Sequence, residues 1–283
     1  MLRQIRFILR HPLGRRAPVT CLGNLILWQI RSRLSTEKLA MPWIDGSVLL
    51  ASKGMTGATG NIYVGLHEFA DMEFALHFLK PQDIFLDVGA NIGSYTILAS
   101  KVVGAHTIAF EPDPDTARHL SDNIRTNRIE DKVSIQTVAL GREKGEIHFT
   151  IGRDTTNRVA TDLDTNTRVV PVRRLDDVEG ARNATFLKLD TEGFEKEVLG
   201  GATDLLNSGN ILAIATELDD GGVEQIMLDC GFRRYFYAPS SRTLSERPAA
   251  TEAQSNAIYI RNKAAVEERL ASAPVRKWRG LPI

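Results

Sequence analysis

The chain has 283 residues, enough for one large domain or two small ones, and its 43% hydrophobic and 25% charged residues exclude a mostly disordered or collagen-like chain. Basic and acidic residues number 35 each, so net charge is zero, which argues against a protein basic throughout, as many nucleic-acid binders are. The balance is uneven: residues 1–36 hold seven Arg and no acid, residues 261–283 hold six Lys or Arg against two Glu, and the body between is acidic.

Residues 1–40 read as a basic helical extension. On a helical wheel Leu2, Ile5, Ile8 and Leu9 share one face, and Arg3, Arg6 and Arg10 share another. Pro12 and Gly14 interrupt this helix, and a second apolar segment runs from Leu22 to Leu34. Two readings of the extension stand. The favoured one is packing on the domain or a homodimer contact; the other is peripheral contact of residues 1–35 with an anionic membrane. No run of 18 apolar residues exists to span a bilayer, and no apolar core of a secretory signal follows Arg3 and Arg6. Cys21 and Cys230 form no metal motif or disulfide framework, which points to a reducing compartment, the cytoplasm, with or without membrane attachment.

Residues 41–80 read as an α/β lead-in to a domain spanning 41–262. Trp43–Leu50 predicts a strand, Gly54–Gly60 a glycine-rich loop, and Glu68–Leu79 a helix stopped by Pro81. Ile84–Val88 is a short apolar run without alternation, as a strand buried on both faces requires. A helix follows over Ser94–Val103 with Gly104 as its stop, then a strand over Thr107–Phe110. Asp113 caps the next helix, with Pro114 at its first position. Val133–Leu140 predicts a third strand, and residues 145–173 predict strands and polar turns. Phe186–Asp190 is a fourth core strand before a helix that Gly200-Gly201 ends or kinks. Ile211–Leu218, Phe232–Tyr237 and Ala257–Ile260 complete a doubly wound, mostly parallel Rossmann-like α/β sheet of about seven strands. Residues 263–283 form a basic C-terminal tail.

In such sheets ligands bind beyond the carboxyl ends of the strands, where strand order reverses. The first core strand ends Asp87-Val88-Gly89-Ala90-Asn91-Ile92-Gly93, with GxxxG spacing rather than the GxGxxG of a dinucleotide fold. Gly89 permits a tight turn and close backbone approach. Asp87 beside this loop suits a cationic or amino-bearing ligand. Glu111 follows 24 residues later, at the end of the second strand, where an acid grips a ribose diol.

These motifs, with Ser94-Tyr95-Thr96, Phe110-Glu111-Pro112, Lys188-Leu189-Asp190-Thr191-Glu192-Gly193 and Val198-Leu199-Gly200-Gly201-Ala202, resemble the FkbM family of S-adenosylmethionine-dependent O-methyltransferases of the class I fold. The resemblance covers about residues 80–220; Thr191 departs from the aliphatic residue usual there. It implies that Asp87, Gly89, Asn91 and Gly93 surround the methionine part of S-adenosylmethionine, with Ala90, Tyr95 and Pro112 from the same motifs beside it. It further implies Glu111 on the ribose, and Asp113, Ala139 and Leu140 near the adenine.

Methyl transfer needs orientation of an already activated cofactor, and a hydroxyl acceptor must also lose a proton. Asp190 is the first choice for a catalytic or acceptor-orienting residue; an N-cap is its structural alternative. Glu192 reads as base, metal ligand or helix-dipole acid. Lys188 lies two residues from Asp190 on a strand, so both point to one side. It pairs with Asp190 or Glu217, or acts as a base of lowered pKa, the ion pair being favoured. Asp190, Glu192 and Glu217 together could hold a divalent cation, the lesser alternative to no metal at all. His67 is a candidate base in the lead-in; His77, His106, His119 and His148 read as structural. The expected partner is a small-molecule or glycan hydroxyl, with residues 145–173 and 238–256 shaping its pocket. Nucleic-acid methylation is disfavoured by the acidic body, an NAD-dependent oxidoreductase by the glycine spacing, and a non-catalytic relative by the intact acids.

Overall fold

The computed structural model describes residues 1–152, 156–217, 222–247 and 256–283. Three helices open the chain: α1 (Leu2–Arg10), α2 (Pro12–Arg16) and α3 (Pro18–Leu34). Pro12 and Pro18 sit at first helical positions, where the missing N–H costs nothing, so the expected interruption narrows to His11 and Ala17. Gly14 lies inside α2, because a Cβ there would meet the Ile8 carbonyl oxygen at 1.8 Å. Ile8, Leu13, Cys21, Leu25 and Trp28 enter the main core.

The lead-in differs from its sequence pattern. Instead of one strand over Trp43–Leu50 there is a hairpin, β1 (Leu39–Pro42) and β2 (Val48–Ala51), around a short 3₁₀ turn in which Asp45 takes φ 44°. The predicted glycine-rich loop is mostly helix, α4 (Thr56–Val64). Ala58, Ile62, Tyr63 and Val64 are buried, so packing overrides the poor helix propensity of Gly57 and Gly60. Gly60 also admits His67, whose Nδ1 would lie 2.1 Å from a Cβ. α5 (Phe69–Phe78) follows as expected and ends before Pro81.

The central domain alternates β3 (Ile84–Val88), α6 (Ser94–Ile97), β4 (His106–Phe110), α7 (Pro114–Asn127) and β5 (Val133–Gln136). The helix predicted over Ser94–Val103 is α-helical only in α6 and continues as a π-helical turn, Leu98–Val103. The predicted strand Val133–Leu140 splits: β5 stays in the main sheet, and β6 (Ala139–Leu140) pairs in parallel with β8 (Thr167–Arg173). With β7 (Gly145–Thr150), antiparallel to β8, they make a separate three-stranded sheet. Then come β9 (Phe186–Leu189), α8 (Glu195–Gly200), α9 (Thr203–Asn207), β10 (Ala213–Glu217), α10 (Gly222–Asp229), β11 (Arg233–Ala238), β12 (Thr243–Ser245) and β13 (Asn256–Ile260). α8 ends at Gly201, where a Cβ would meet the Gly141 carbonyl oxygen at 2.0 Å. Leu218, at the end of one predicted strand, lies outside the described residues. α11 (Lys263–Ala271) and the hairpin β14 (Lys277–Trp278) and β15 (Leu281–Pro282) close the chain, with Trp278 and Ile283 in the core.

The main sheet has eight strands in the order β12-β11-β13-β10-β9-β3-β4-β5, one more than expected because β12 adds to the edge. Strands β10, β9, β3, β4 and β5 run parallel, and β13 inserts antiparallel between β10 and β11. Successive residues point to opposite faces. Phe85, Phe186, Ala213 and Ile258 join the core that holds α5 and the N-terminal helices, while their neighbours Leu86, Leu187, Ile214 and Tyr259 join the one that holds α8 and α9. Both faces are covered, which explains the continuous apolar strands. The chain winds from β3 outward to β5, then returns to β9 and β10 on the other side. The switch point between β3 and β9 is where such a sheet opens a crevice.

Candidate active site

A cavity of ≈ 390 Å³ occupies this crevice. Its floor is the carboxyl ends of β3, β4, β9 and β10, which bring Asp87, Glu111, Lys188, Asp190 and Glu217 together. Parallel register explains the grouping. Asp87 sits opposite Lys188 and Lys188 opposite Ala215, so Asp190 and Glu217, each two residues further, extend over the same face. Thr56, Gly57 and Asn61 of α4, with His67 and Glu68, close one side; Val138, Ala139, Leu140, Phe149, Asn157 and Val159 close another.

The loop after β3 is held by backbone geometry. Gly89, Asn91 and Gly93 all take positive φ, at 78°, 52° and 92°. Gly89 must be glycine because a Cβ would lie 1.9 Å from the Asp190 carbonyl oxygen, so the close approach is to a neighbouring loop. Glu111 clamps the turn: its two carboxylate oxygens accept the N–H of Asn91 and of Asp113, each at 3.0 Å. Asp87 accepts the Thr96 hydroxyl at 2.6 Å. Burial pushes the Glu111 carboxyl up to about 7, against the two amide hydrogen bonds. It raises Asp87 as well, with Lys188 and Thr96 opposing.

The other end is built from charge. Lys188, 2% exposed, donates to Asp190 at 2.5 Å and lies over the Tyr95 ring, 4.7 Å from its centroid. Tyr95 donates its hydroxyl to Glu68 at 2.8 Å. Burial disfavours the Lys188 charge, but Asp190, Glu68 and Asp87 hold it above its ordinary value. This is the geometry of the favoured ion pair rather than of a base with a lowered pKa. Glu217 is raised to about 7 by burial and then by Asp190 and Glu192. Glu192 is raised by burial and then by Asp190 and Glu195, and adopts φ 53°, a left-handed conformation that costs about 1 kcal/mol outside glycine. Asp190, Glu192 and Glu217 can each present an oxygen within 4.8 Å of the others. Glu195 ties this loop by accepting the N–H and hydroxyl of Thr191, both at 2.9 Å, and the N–H of Gly193. That hydroxyl bond is the use of Thr191.

Of the residues singled out from sequence, Asp190, Glu192, Lys188, His67, Asp87, Gly89, Ala90, Asn91, Tyr95, Glu111, Pro112, Ala139, Leu140 and Glu217 all line the cavity. Gly93 and Asp113 do not. Gly93 precedes α6, where a Cβ would meet Leu120 Cδ1 at 2.4 Å. Asp113 caps α7 through Thr116 N–H and pairs with Arg168 at 3.0 Å. His67 is lowered by burial, with Glu68 opposing, and its ring lies 5.1 Å from that of Phe7. The segment 145–173, expected to shape the acceptor pocket, supplies Phe149, Asn157 and Val159 to the wall, whereas sequence reasoning gave no role to Glu68, which accepts from Tyr95, or to Thr96, which donates to Asp87. Tyr95 stood out in sequence, but its partner Glu68 lies 27 residues away. From the segment 238–256 no described residue lines the cavity, and residues 248–255 lie outside the described ones.

The family model described as "Methyltransferase FkbM domain" matches residues 87–234. Hexuronic acid methyltransferase AglP of Haloferax volcanii is 31% identical over 138 residues, which cover 48% of this chain and 56% of that protein. Methyltransferase 1 of Beauveria bassiana is 30% identical over 152 residues, covering 44% of this chain and 60% of the relative. The chain thus spans little more than half the length of these relatives. A solved structure of methyltransferase FkbM from Methylobacillus flagellatus has a TM-score of 0.47 and 14% identity, over 71% of this chain and 52% of that one.

Proposed function

The chain belongs to the FkbM methyltransferase family, and from that premise we propose that it transfers a methyl group from S-adenosylmethionine to a hydroxyl of a sugar, glycan or small metabolite. The observation that carries the reading is the composition of the cavity wall: among the described residues it holds six carboxylates, from Glu68, Asp87, Glu111, Asp190, Glu192 and Glu217, and one cation, Lys188. Such a wall favours a cationic ligand and disfavours a phosphate. The donor set suits this cofactor. Each Glu111 oxygen uses one acceptor direction on a backbone amide and keeps another for a ribose hydroxyl. When bound, the cofactor supplies an electrophilic methyl on a sulfonium. Asp87 and the Gly89–Asn91 turn hold and orient it. Lys188 stays charged and fixes Asp190 against the acceptor side.

Glu217 is the proton acceptor for the hydroxyl. With its carboxyl pushed up to about 7, it is ionised in part at neutral pH and basic enough to take a proton. His67, whose pKa burial lowers, also lines the cavity and is the second candidate base. Likeness to a hexuronic acid methyltransferase favours a uronic acid or related sugar as acceptor. A divalent cation on Asp190, Glu192 and Glu217 is the lesser alternative.

Calorimetric titration of the full chain with S-adenosylmethionine tests the reading, and micromolar binding is expected. Absence of binding, with and without Mg²⁺, overturns it. Labelled-cofactor transfer to uronic acid glycans and nucleotide sugars then identifies the acceptor.

A further inference from the structure

The N-terminal helical layer presents apolar side chains on opposite sides. In α3 the buried side is Cys21, Leu25 and Trp28, spaced four and three apart. The other side carries Val19, Ile26, Ile30 and Leu34, spaced seven, four and four, with Val19 84% and Leu34 83% exposed. In α1 the apolar face is only partly covered: Ile8 is buried, while Leu2 and Leu9 of the same face stay exposed. Eight of the twelve exposed large hydrophobic residues among the described ones lie within the first 34 positions. Scattered apolar residues on a surface are ordinary; this concentration is not. A helix packing only on its own domain needs one apolar side.

The charge of the layer says what covers the second side. Its seven Arg are unbalanced by any Asp or Glu before Glu37. None of the seven forms an ion pair among the described residues. Arg16 donates to the Pro282 carbonyl and Arg33 to Gln29, while Arg3, Arg6 and Arg10 are exposed beside Leu2 and Leu9. A second copy of the chain would set this cationic patch against itself in a two-fold contact, with no acid to offset the repulsion. An anionic lipid surface offers the complementary charge and an apolar layer beneath it.

We propose that residues 1–34 dock the protein on anionic membranes, with Ile26, Ile30 and Leu34 in the interface and the arginines on lipid phosphates. The contact is peripheral, since no helix among the described residues is long and apolar enough to cross a bilayer. The patch lies close to the cavity: α3 donates from Asn24 and Gln29 to Tyr63 of α4, whose Thr56, Gly57 and Asn61 line the cavity wall. The proposal does not depend on the methyl-transfer reading, because its test reads binding alone.

The experiment is flotation of the full chain with vesicles of pure phosphatidylcholine, or with 30 mol% phosphatidylglycerol added, at low and high salt. Partitioning at least tenfold stronger onto the anionic vesicles is expected, falling with salt. Arg3→Gln, Arg6→Gln and Arg10→Gln together should weaken it by about 100-fold, near fivefold per arginine. Ile26→Ser with Ile30→Ser should weaken it at either salt concentration. Circular dichroism of each variant checks folding; if one misfolds, the lipid and salt dependence of the parent still decides. Failure to float with anionic vesicles overturns the proposal. So does a concentration-dependent dimer in light scattering that the Ile26→Ser and Ile30→Ser pair dissolves while flotation is unchanged.

Discussion

The two ends of the cavity use carboxylates in opposite ways. At the β3–β4 end, backbone amides and a hydroxyl hold them: Glu111 receives two N–H groups and Asp87 the Thr96 hydroxyl. At the β9–β10 end, Asp190, Glu192 and Glu217 crowd within 4.8 Å, and Lys188 is the ammonium that offsets them. Directed hydrogen bonds fix where a carboxylate points, whereas clustered charge makes its protonation responsive to neighbours. The first arrangement suits holding a ligand in one pose, and the second suits moving a proton.

The largest expected effect breaks the charged end. Lys188→Met leaves Asp87 and Asp190 without their cation and should lower unfolding free energy by about 3–5 kcal/mol, as removal of one partner of a buried pair does. Urea denaturation measures it. A loss under 1 kcal/mol would mean that solvent already screens the pair.

The next test addresses the ordered end. Glu111 has its carboxyl raised from 4.5 to about 7, so the unfolded chain gives up that proton first as pH rises. Between those values the native state holds more protons. Stability from this group is therefore full below pH 4.5, falls through the window and is flat above pH 7, a drop of about 3 kcal/mol. Glu111→Gln should flatten the stability–pH curve by that amount. A curve unchanged by the substitution would place the titration elsewhere, with Glu217 the first alternative.

Glu217→Gln should separate the ends in function. Turnover should fall about 100-fold and the limb of the rate–pH profile near pH 7, where rate rises as Glu217 ionises, should vanish. Cofactor affinity should stay within twofold. A loss of affinity equal to the loss of turnover would merge the two ends into one binding site. The smallest effect is expected for Thr96→Val, which removes one hydrogen bond to Asp87 and should cost about 1.5 kcal/mol. Cofactor affinity should weaken more than turnover.

The ordered end could be read almost entirely from local pattern. An apolar run closing on Asp87 and Gly89, and another on Glu111 and Pro112, mark strand ends without knowledge of any distant contact. Gly93 and Asp113, placed near the ligand by the same local pattern, do not line the cavity. Both sit in the right loops, but one makes room for Leu120 and the other caps α7. The charged end was harder. Asp190 and Glu192 stood out in sequence, yet the state of Lys188 depends on Glu68, 120 residues earlier, and on Asp87 in the paired strand.

Sequence alone set most strands of the doubly wound sheet, the acid–glycine turns at their ends and the basic character of the first helices. These follow from periodicity and from residues whose conformational limits travel with them. Long-range packing settled the rest. Gly54–Gly60 became largely helix because the buried face of α4 found α3, β5 and β6 parted because β6 found β8, and Lys188 kept its charge because three acids from separate segments meet it. Burial and Coulomb interaction depend on what lies opposite a residue in space, and a short window of sequence holds Lys188 and Asp190 but not Glu68 or Asp87.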